Sequence, residues 1–115
     1  LTGAYAPKHE LILFGHKGRH KLKKRIPDVI NCQRVDVNSM THPTEKPVNL
    51  LEIFINNSSG GGGVILDPFS GTGSTGVACT NLQRQFIGFE VSEVYSQVGN
   101  QRIDKILQAT QLRLF

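Results

Sequence analysis

Tryptophan is absent from the chain, methionine occurs once, and Cys32 and Cys79 are the only cysteines among its 115 residues. Two cysteines cannot build a disulfide framework, and these two have no metal-ligand spacing, so a reducing, cytoplasmic setting is expected. His16 and His20 lie four apart with Cys32 not far beyond, yet no second cysteine pair accompanies them and the neighbourhood is cationic, so no metal is expected. No apolar run approaches the roughly 20 residues that cross a bilayer, and Leu1-Thr2-Gly3 opens no signal peptide; no membrane partner is expected. Neither a Ser/His/Asp nor a Cys/His arrangement can be argued, which disfavours nucleophilic catalysis. There is no internal repeat. With 38% hydrophobic and 19% charged residues, the composition is that of one small soluble globular domain. The first residue is leucine rather than an initiator methionine, from which a piece of a longer protein is expected.

Acidic charge is scarce in the first part of the chain. Residues 1–46 carry nine Lys/Arg against four acids, whereas residues 47–115 carry four against five. The excess is densest at Lys17, Arg19, Lys21, Lys23, Lys24 and Arg25, a patch suited to a polyanion such as nucleic acid. Contacts of this kind would go to phosphates and be sensitive to salt.

The apolar run 9–14 (His-Glu-Leu-Ile-Leu-Phe) reads as a short buried strand stopped by Gly15 and Gly18. Residues 19–46 show no sustained period and read as an irregular excursion. A helix is expected from about Pro47, with Thr44 or its neighbours as cap and Leu50, Leu51, Phe54 and Ile55 at helical spacing. The glycines at 60–63 form a turn before the apolar strand Val64-Ile65-Leu66, whose uninterrupted hydrophobicity suits a parallel strand. A helix follows over about 74–82, then a strand at 85–89. A last helix, capped by Ser92, is expected to bury Val94, Val98, Ile103, Ile106 and Leu107. From 64 to 109 the pattern is βαβα, hence α/β with a parallel sheet.

Between the two strands, Gly71, Gly73 and Gly76 satisfy G-x-G-x-x-G in the strand–turn–helix context that gives the pattern meaning. Asp67 ends the first strand and Glu90 the second. A nicotinamide dinucleotide would lay its pyrophosphate on the helix N-terminus, but Asp67 would repel it at a cost of roughly 1–4 kcal/mol. The same carboxylate suits the ammonium and sulfonium charges of S-adenosylmethionine. Glu90 fits either cofactor, since both present a ribose diol.

The run His42-Pro43-Thr44-Glu45-Lys46-Pro47, then Leu66-Asp67-Pro68-Phe69-Ser70-Gly71-Thr72-Gly73-Ser74-Thr75-Gly76, then Phe86-Ile87-Gly88-Phe89-Glu90 with Tyr95 and Arg102 behind it, resembles the C-terminal half of permuted, beta-class DNA amino-methyltransferases. These enzymes, bacterial or phage-encoded and frequent in restriction-modification systems, methylate adenine N6 or cytosine N4. The resemblance covers about residues 9–106. It implies a partial Rossmann-like methyltransferase fold, an incomplete sheet with helices on its faces. Residues 1–46 would hold a strand and a basic, target-recognition-like segment, and residues 47–115 an S-adenosylmethionine-binding βαβα half-domain. It further implies that Asp67, Phe69, Gly71, Gly73 and Thr75 bind the methionine part of the cofactor and Glu90 its ribose. Thr44, Lys46 and Pro47 would flank the methionine moiety, and His9 and Phe14 would lie near the target-base pocket. Double-stranded DNA is the implied partner.

The family's Asp/Asn/Ser-Pro-Pro-aromatic tetrapeptide orients the exocyclic amine of the flipped base. It does not occur among these residues. The resemblance therefore implies a cofactor-binding half that is inactive alone and whose catalytic half lies N-terminal to it. An incomplete sheet of this kind would leave an exposed edge, or heal it by pairing with a second copy. Two alternatives are a non-catalytic nucleic-acid-binding module of the same fold and a fragment of an NAD-type oxidoreductase. Asp67 and the Thr-Glu-Lys-Pro segment argue against the latter.

Overall fold

The computed structural model describes residues 3–40, 42 and 45–113. Its elements follow in the order α1 (Val48–Ser58), β1 (Val64–Asp67), α2 (Ser74–Asn81), β2 (Gln85–Gly88) and α3 (Glu93–Arg113). Pro47 stands at the N-cap of α1 in an extended conformation, φ −61° and ψ 129°, its ring fixing φ while the helix itself begins at Val48. Thr44, the expected cap, lies outside the described residues. Val48, Leu51 and Ile55 recur at spacings of three and four, so α1 presents one apolar stripe to α2.

β1 and β2 pair in parallel, with Ile65 opposite Phe86 and Leu66 opposite Ile87. Alternation along the strands divides their side chains between two faces. Ile65 and Phe86 join Ile55, Ala78 and Cys79 beneath the helices. Val64, Leu66, Ile87 and Phe89 stay largely exposed on the other face. Helices therefore cover one of the sheet's two faces. α2 lies at the centre of the packed side, against α1, α3 and β2, and its small residues (Ser-Thr-Gly-Val-Ala-Cys) permit that close approach.

Two sequence expectations are corrected. Residues 9–14 form no strand. They carry no regular secondary structure and are exposed, Leu13 at 98%. A strand needs a neighbour to complete its hydrogen bonds, and no described element lies alongside; the backbone polar groups are left to water instead. In α3, Ser92 caps the helix as expected, accepting the Tyr95 N–H at 3.4 Å. The face turned inward is only partly the expected one, however: Val98, Ile103 and Ile106 are partly covered as expected, joined by Tyr95, Gly99 and Arg102, whereas Val94 and Leu107 are exposed. That inward stripe includes a glycine and an arginine, which a search for apolar periodicity passes over.

Burial pushes the Cys79 thiol up to about 11 from 9.0, with Asp67 adding to the rise and Arg84 opposing it. Its thiolate is thus suppressed, while Cys32 is partly exposed. A maleimide is expected to label one cysteine of the native chain, Cys32, and to reach Cys79 only after unfolding. The folded state favours the protonated Cys79. The associated stability is complete below pH 9 and declines as pH rises toward 11, which urea titrations on either side of that interval would measure.

Candidate functional site

The polypeptide leaves β1 at Asp67 and reverses through two left-handed glycines, Gly71 (φ +53°) and Gly73 (φ +77°), before entering α2. Asp67 closes this turn from within. Its Oδ1 accepts the Phe69 N–H at 3.0 Å and its Oδ2 the Thr75 hydroxyl at 2.6 Å. The Ser70 N–H donates to Phe89 O at 2.8 Å, and the Gly73 N–H to Ser70 O at 2.8 Å. Glu90, just past β2, accepts the Gly71 N–H at 2.7 Å through one oxygen and the Ser92 N–H at 2.9 Å through the other. The Ser92 N–H is the chief cause holding the Glu90 carboxyl below the ordinary carboxylate range. Desolvation opposes it, and the Gly71 N–H and the charge of His42 reinforce it.

Behind the turn, Gly73 lies directly on helix α3. A Cβ on Gly73 would come within 2.8 Å of Gly99 Cα, and one on Gly99 within 3.2 Å of Gly73 N. Turn and helix meet backbone to backbone because neither residue has a side chain. A glycine inside a long helix costs about 0.5–1 kcal/mol relative to alanine; Gly99 is the sequence signal of this contact, one that apolar periodicity does not register.

In front of the turn, His42 and residues 45–47 form a strap. His42 meets the ring of Tyr95 edge-on at 4.6 Å. Glu45 lies 3.5 Å from the Arg102 guanidinium and accepts the Thr72 hydroxyl at 3.3 Å. Lys46 pairs with Glu10 at 2.6 Å, both side chains well exposed, and this contact holds the Glu10 carboxyl below its ordinary range.

Strap and turn enclose a cleft of about 260 Å³ whose lining includes Lys46, Asp67, Phe69, Gly71, Thr75 and Glu90. Six of the nine expected cofactor residues thus meet in one place. Gly73 lies behind the turn, Pro47 starts α1, and Thr44 is outside the described residues. Phe69 projects outward at 88% exposure. His9 and Phe14 are exposed and absent from the cleft lining. Lys17, Arg19, Lys21, Lys23, Lys24 and Arg25 are all exposed. Two of them are anchored at the far end of α1: the Lys24 N–H donates to Asn57 Oδ1 at 2.9 Å, and the Lys23 N–H to Asn57 O at 2.9 Å. At 1.5 Å per residue, the stretch of α1 from Leu51, which lines the cleft, to Asn57 sets them roughly 9 Å beyond it along the helix axis. Among the described residues no His/Cys/Asp/Glu cluster could hold a metal ion, and no helix is long and apolar enough to cross a membrane.

Known proteins resemble the chain over these same elements. The N6/N4-type DNA methylase family matches residues 4–101. Type II methyltransferase M2.DpnII of Streptococcus pneumoniae is 36% identical over 98 residues, which are 77% of this chain and 37% of that protein. DNA adenine methyltransferase YhdJ of Escherichia coli (strain K12) is 43% identical over 63 residues, 55% of this chain and 21% of that protein. Among solved structures, M1.HpyAVI in its SAM complex aligns with a TM-score of 0.58 at 33% identity, over 72% of this chain and 44% of that one. The chain spans less than half the length of these relatives.

Proposed function

The chain belongs to the N6/N4 DNA methylase family, and from that premise we propose that it forms the S-adenosylmethionine-binding half of an enzyme that methylates an exocyclic amine of DNA, adenine N6 or cytosine N4. One observation carries the choice of cofactor. The N–H groups of Phe69, Ser70, Gly71 and Gly73 already donate to protein acceptors, so the turn is not a cradle for phosphate oxygens. Around it stand the carboxylates of Asp67 and Glu90. Such a site disfavours a pyrophosphate and favours a ligand bearing ammonium and sulfonium charges.

A cleft of about 260 Å³ is slightly below the roughly 300–1,000 Å³ typical of small-molecule sites. It suits the methionine portion, beside Asp67 and Thr75 and flanked by Lys46 and Pro47. The ribose lies over Glu90. Thr44 joins the flanking group on sequence grounds.

In the reaction the base nitrogen bonds to the methyl carbon, the carbon–sulfur bond breaks, and the amine releases a proton. The residues that orient the amine, the Pro-Pro tetrapeptide, come from polypeptide outside these 115 residues, so this chain alone is inactive. The basic run 17–25 contacts phosphates flanking the target rather than the target base, because its anchored part sits at the C-terminal end of α1, outside the cleft lining.

Calorimetric titration is expected to show S-adenosylmethionine binding and no NAD binding. Methyl transfer to DNA is expected only when a tetrapeptide-bearing N-terminal half is added. NAD binding in place of S-adenosylmethionine would overturn the proposal, and transfer by the chain alone would overturn its division into halves. A dimer of the isolated chain in sedimentation, persisting when the other half is present, would mean that the exposed sheet edge pairs with a second copy.

A further inference from the structure

Arg102 lies on α3, away from the strands that end in Asp67 and Glu90, yet its guanidinium reaches both parts that enclose the cleft. It donates to Thr72 O at 2.8 Å, to Thr72 Oγ1 at 3.2 Å and to Ser74 Oγ at 3.2 Å. It also lies 3.5 Å from Glu45 of the strap. Thr72 and Ser74 are buried, and the Glu45 side chain is only 10% exposed. Thr72 completes the connection by donating its hydroxyl to Glu45. We propose that Arg102 is a positioning residue for the methyl-donor cleft: it clamps the strap at Glu45 to the glycine turn at Thr72, and so fixes the separation of the walls that carry Lys46 and Asp67.

The physical case rests on geometry and charge. All of these contacts come from one terminal nitrogen, Nη1; a lysine chain is one atom shorter and its ammonium would stop short of them. Glu45 is nearly covered, and a buried carboxylate that loses its cation is strongly unfavourable. Without Arg102 the strap would move until Glu45 reached water. Lys46 follows it in sequence and would leave the cleft wall, although Asp67, Thr75 and Glu90 would keep their own hydrogen bonds. Tyr95, about two helical turns before Arg102, pins the other end of the strap at His42 and limits the movement to the Glu45 end.

The proposal rests on reading the cleft as the S-adenosylmethionine site, and the experiment separates the two. In the 115-residue chain, Arg102→Gln is expected to weaken S-adenosylmethionine roughly 10- to 100-fold, the range for hydrogen bonds to a charged group. It is also expected to speed amide hydrogen exchange at residues 45–47 while leaving β1 and α2 protected. The double variant E45Q/R102Q removes the stranded charge and should recover most of the lost affinity. That recovery is the signature of a clamp; a purely structural residue would lower the melting temperature of both variants alike. R102Q with wild-type affinity and unchanged exchange at 45–47, or a double variant no better than R102Q, would overturn the proposal. If the wild-type chain does not bind S-adenosylmethionine, the cofactor reading fails and exchange at 45–47 alone decides the clamp. If R102Q does not fold, R102K takes its place: the clamp predicts weakened binding and faster exchange despite the retained charge, and wild-type behaviour overturns it.

Discussion

Alanine at position 73 is expected to abolish measurable cofactor binding and to destabilise the chain by about 2–4 kcal/mol, the combined scale of left-handed backbone strain and overpacking. Two independent costs meet at this residue. Its φ of +77° is a region that alanine enters only under strain, and the added Cβ would stand 2.8 Å from the backbone of Gly99. The obstructing atom belongs to the interior of α3, so it cannot rotate away as the end of a side chain would. Relief requires the turn to lift from the helix, and the turn carries Gly71 and its bond to Glu90 with it. Gly99→Ala should show the same behaviour more weakly, because its Cβ would meet the turn at 3.2–3.3 Å in an ordinary helical conformation. Urea unfolding and calorimetric titration of the two variants would give the ranking; equal stability of G73A and wild type would exclude the close contact.

The second large effect is expected at Asp67. Its carboxylate holds the Phe69 N–H and the Thr75 hydroxyl, and in the proposed complex it also faces the cofactor's positive charge. Asp67→Ala removes all three interactions and should weaken S-adenosylmethionine at least about 100-fold, since hydrogen bonds to charged groups contribute roughly 1.5–3 kcal/mol each. Asp67→Asn separates shape from charge. Its carbonyl can still accept from the turn, so the melting temperature should stay near that of wild type while affinity falls by more than about tenfold. Should D67N bind S-adenosylmethionine as well as wild type does, the charge argument for the methyl donor would be lost. NAD affinity is not expected to rise in D67N, because the Gly71 N–H still belongs to Glu90.

How much of this was readable in the residues differs from place to place, for physical reasons. The passage from β1 through the turn to β2 was legible because its rules are local: apolar strands, glycines at positive φ, and an acid at each strand end. The first helix was legible from its proline and its spacing. Partners distant in sequence were not. Nothing near Lys24 announces that Asn57, thirty-three residues on, will hold it at the remote end of α1. The run 9–14 has the composition of a strand, but strand formation depends on a neighbour that the run itself does not encode. Arg102 and Gly99 hid the inward face of α3 because both act through contacts with the turn rather than through hydrophobicity. The motif containing Glu45 could be seen in the sequence; its tie to Arg102 could not.

The buried apolar residues among those described are Ile55, Val77, Ala78 and Cys79, of which only isoleucine and valine are sizeable hydrocarbons. A core this small leaves little margin against the entropy of the unfolded chain. Under those conditions mass action becomes a main determinant of folding. Any molecule that binds the native form at a hundredfold excess over its Kd adds about 2.7 kcal/mol, a large share of the roughly 5–15 kcal/mol of an ordinary domain. The folded population of these 115 residues by themselves would then follow the concentration of their small-molecule ligand, and dilution of that ligand would be felt first as loss of the fold.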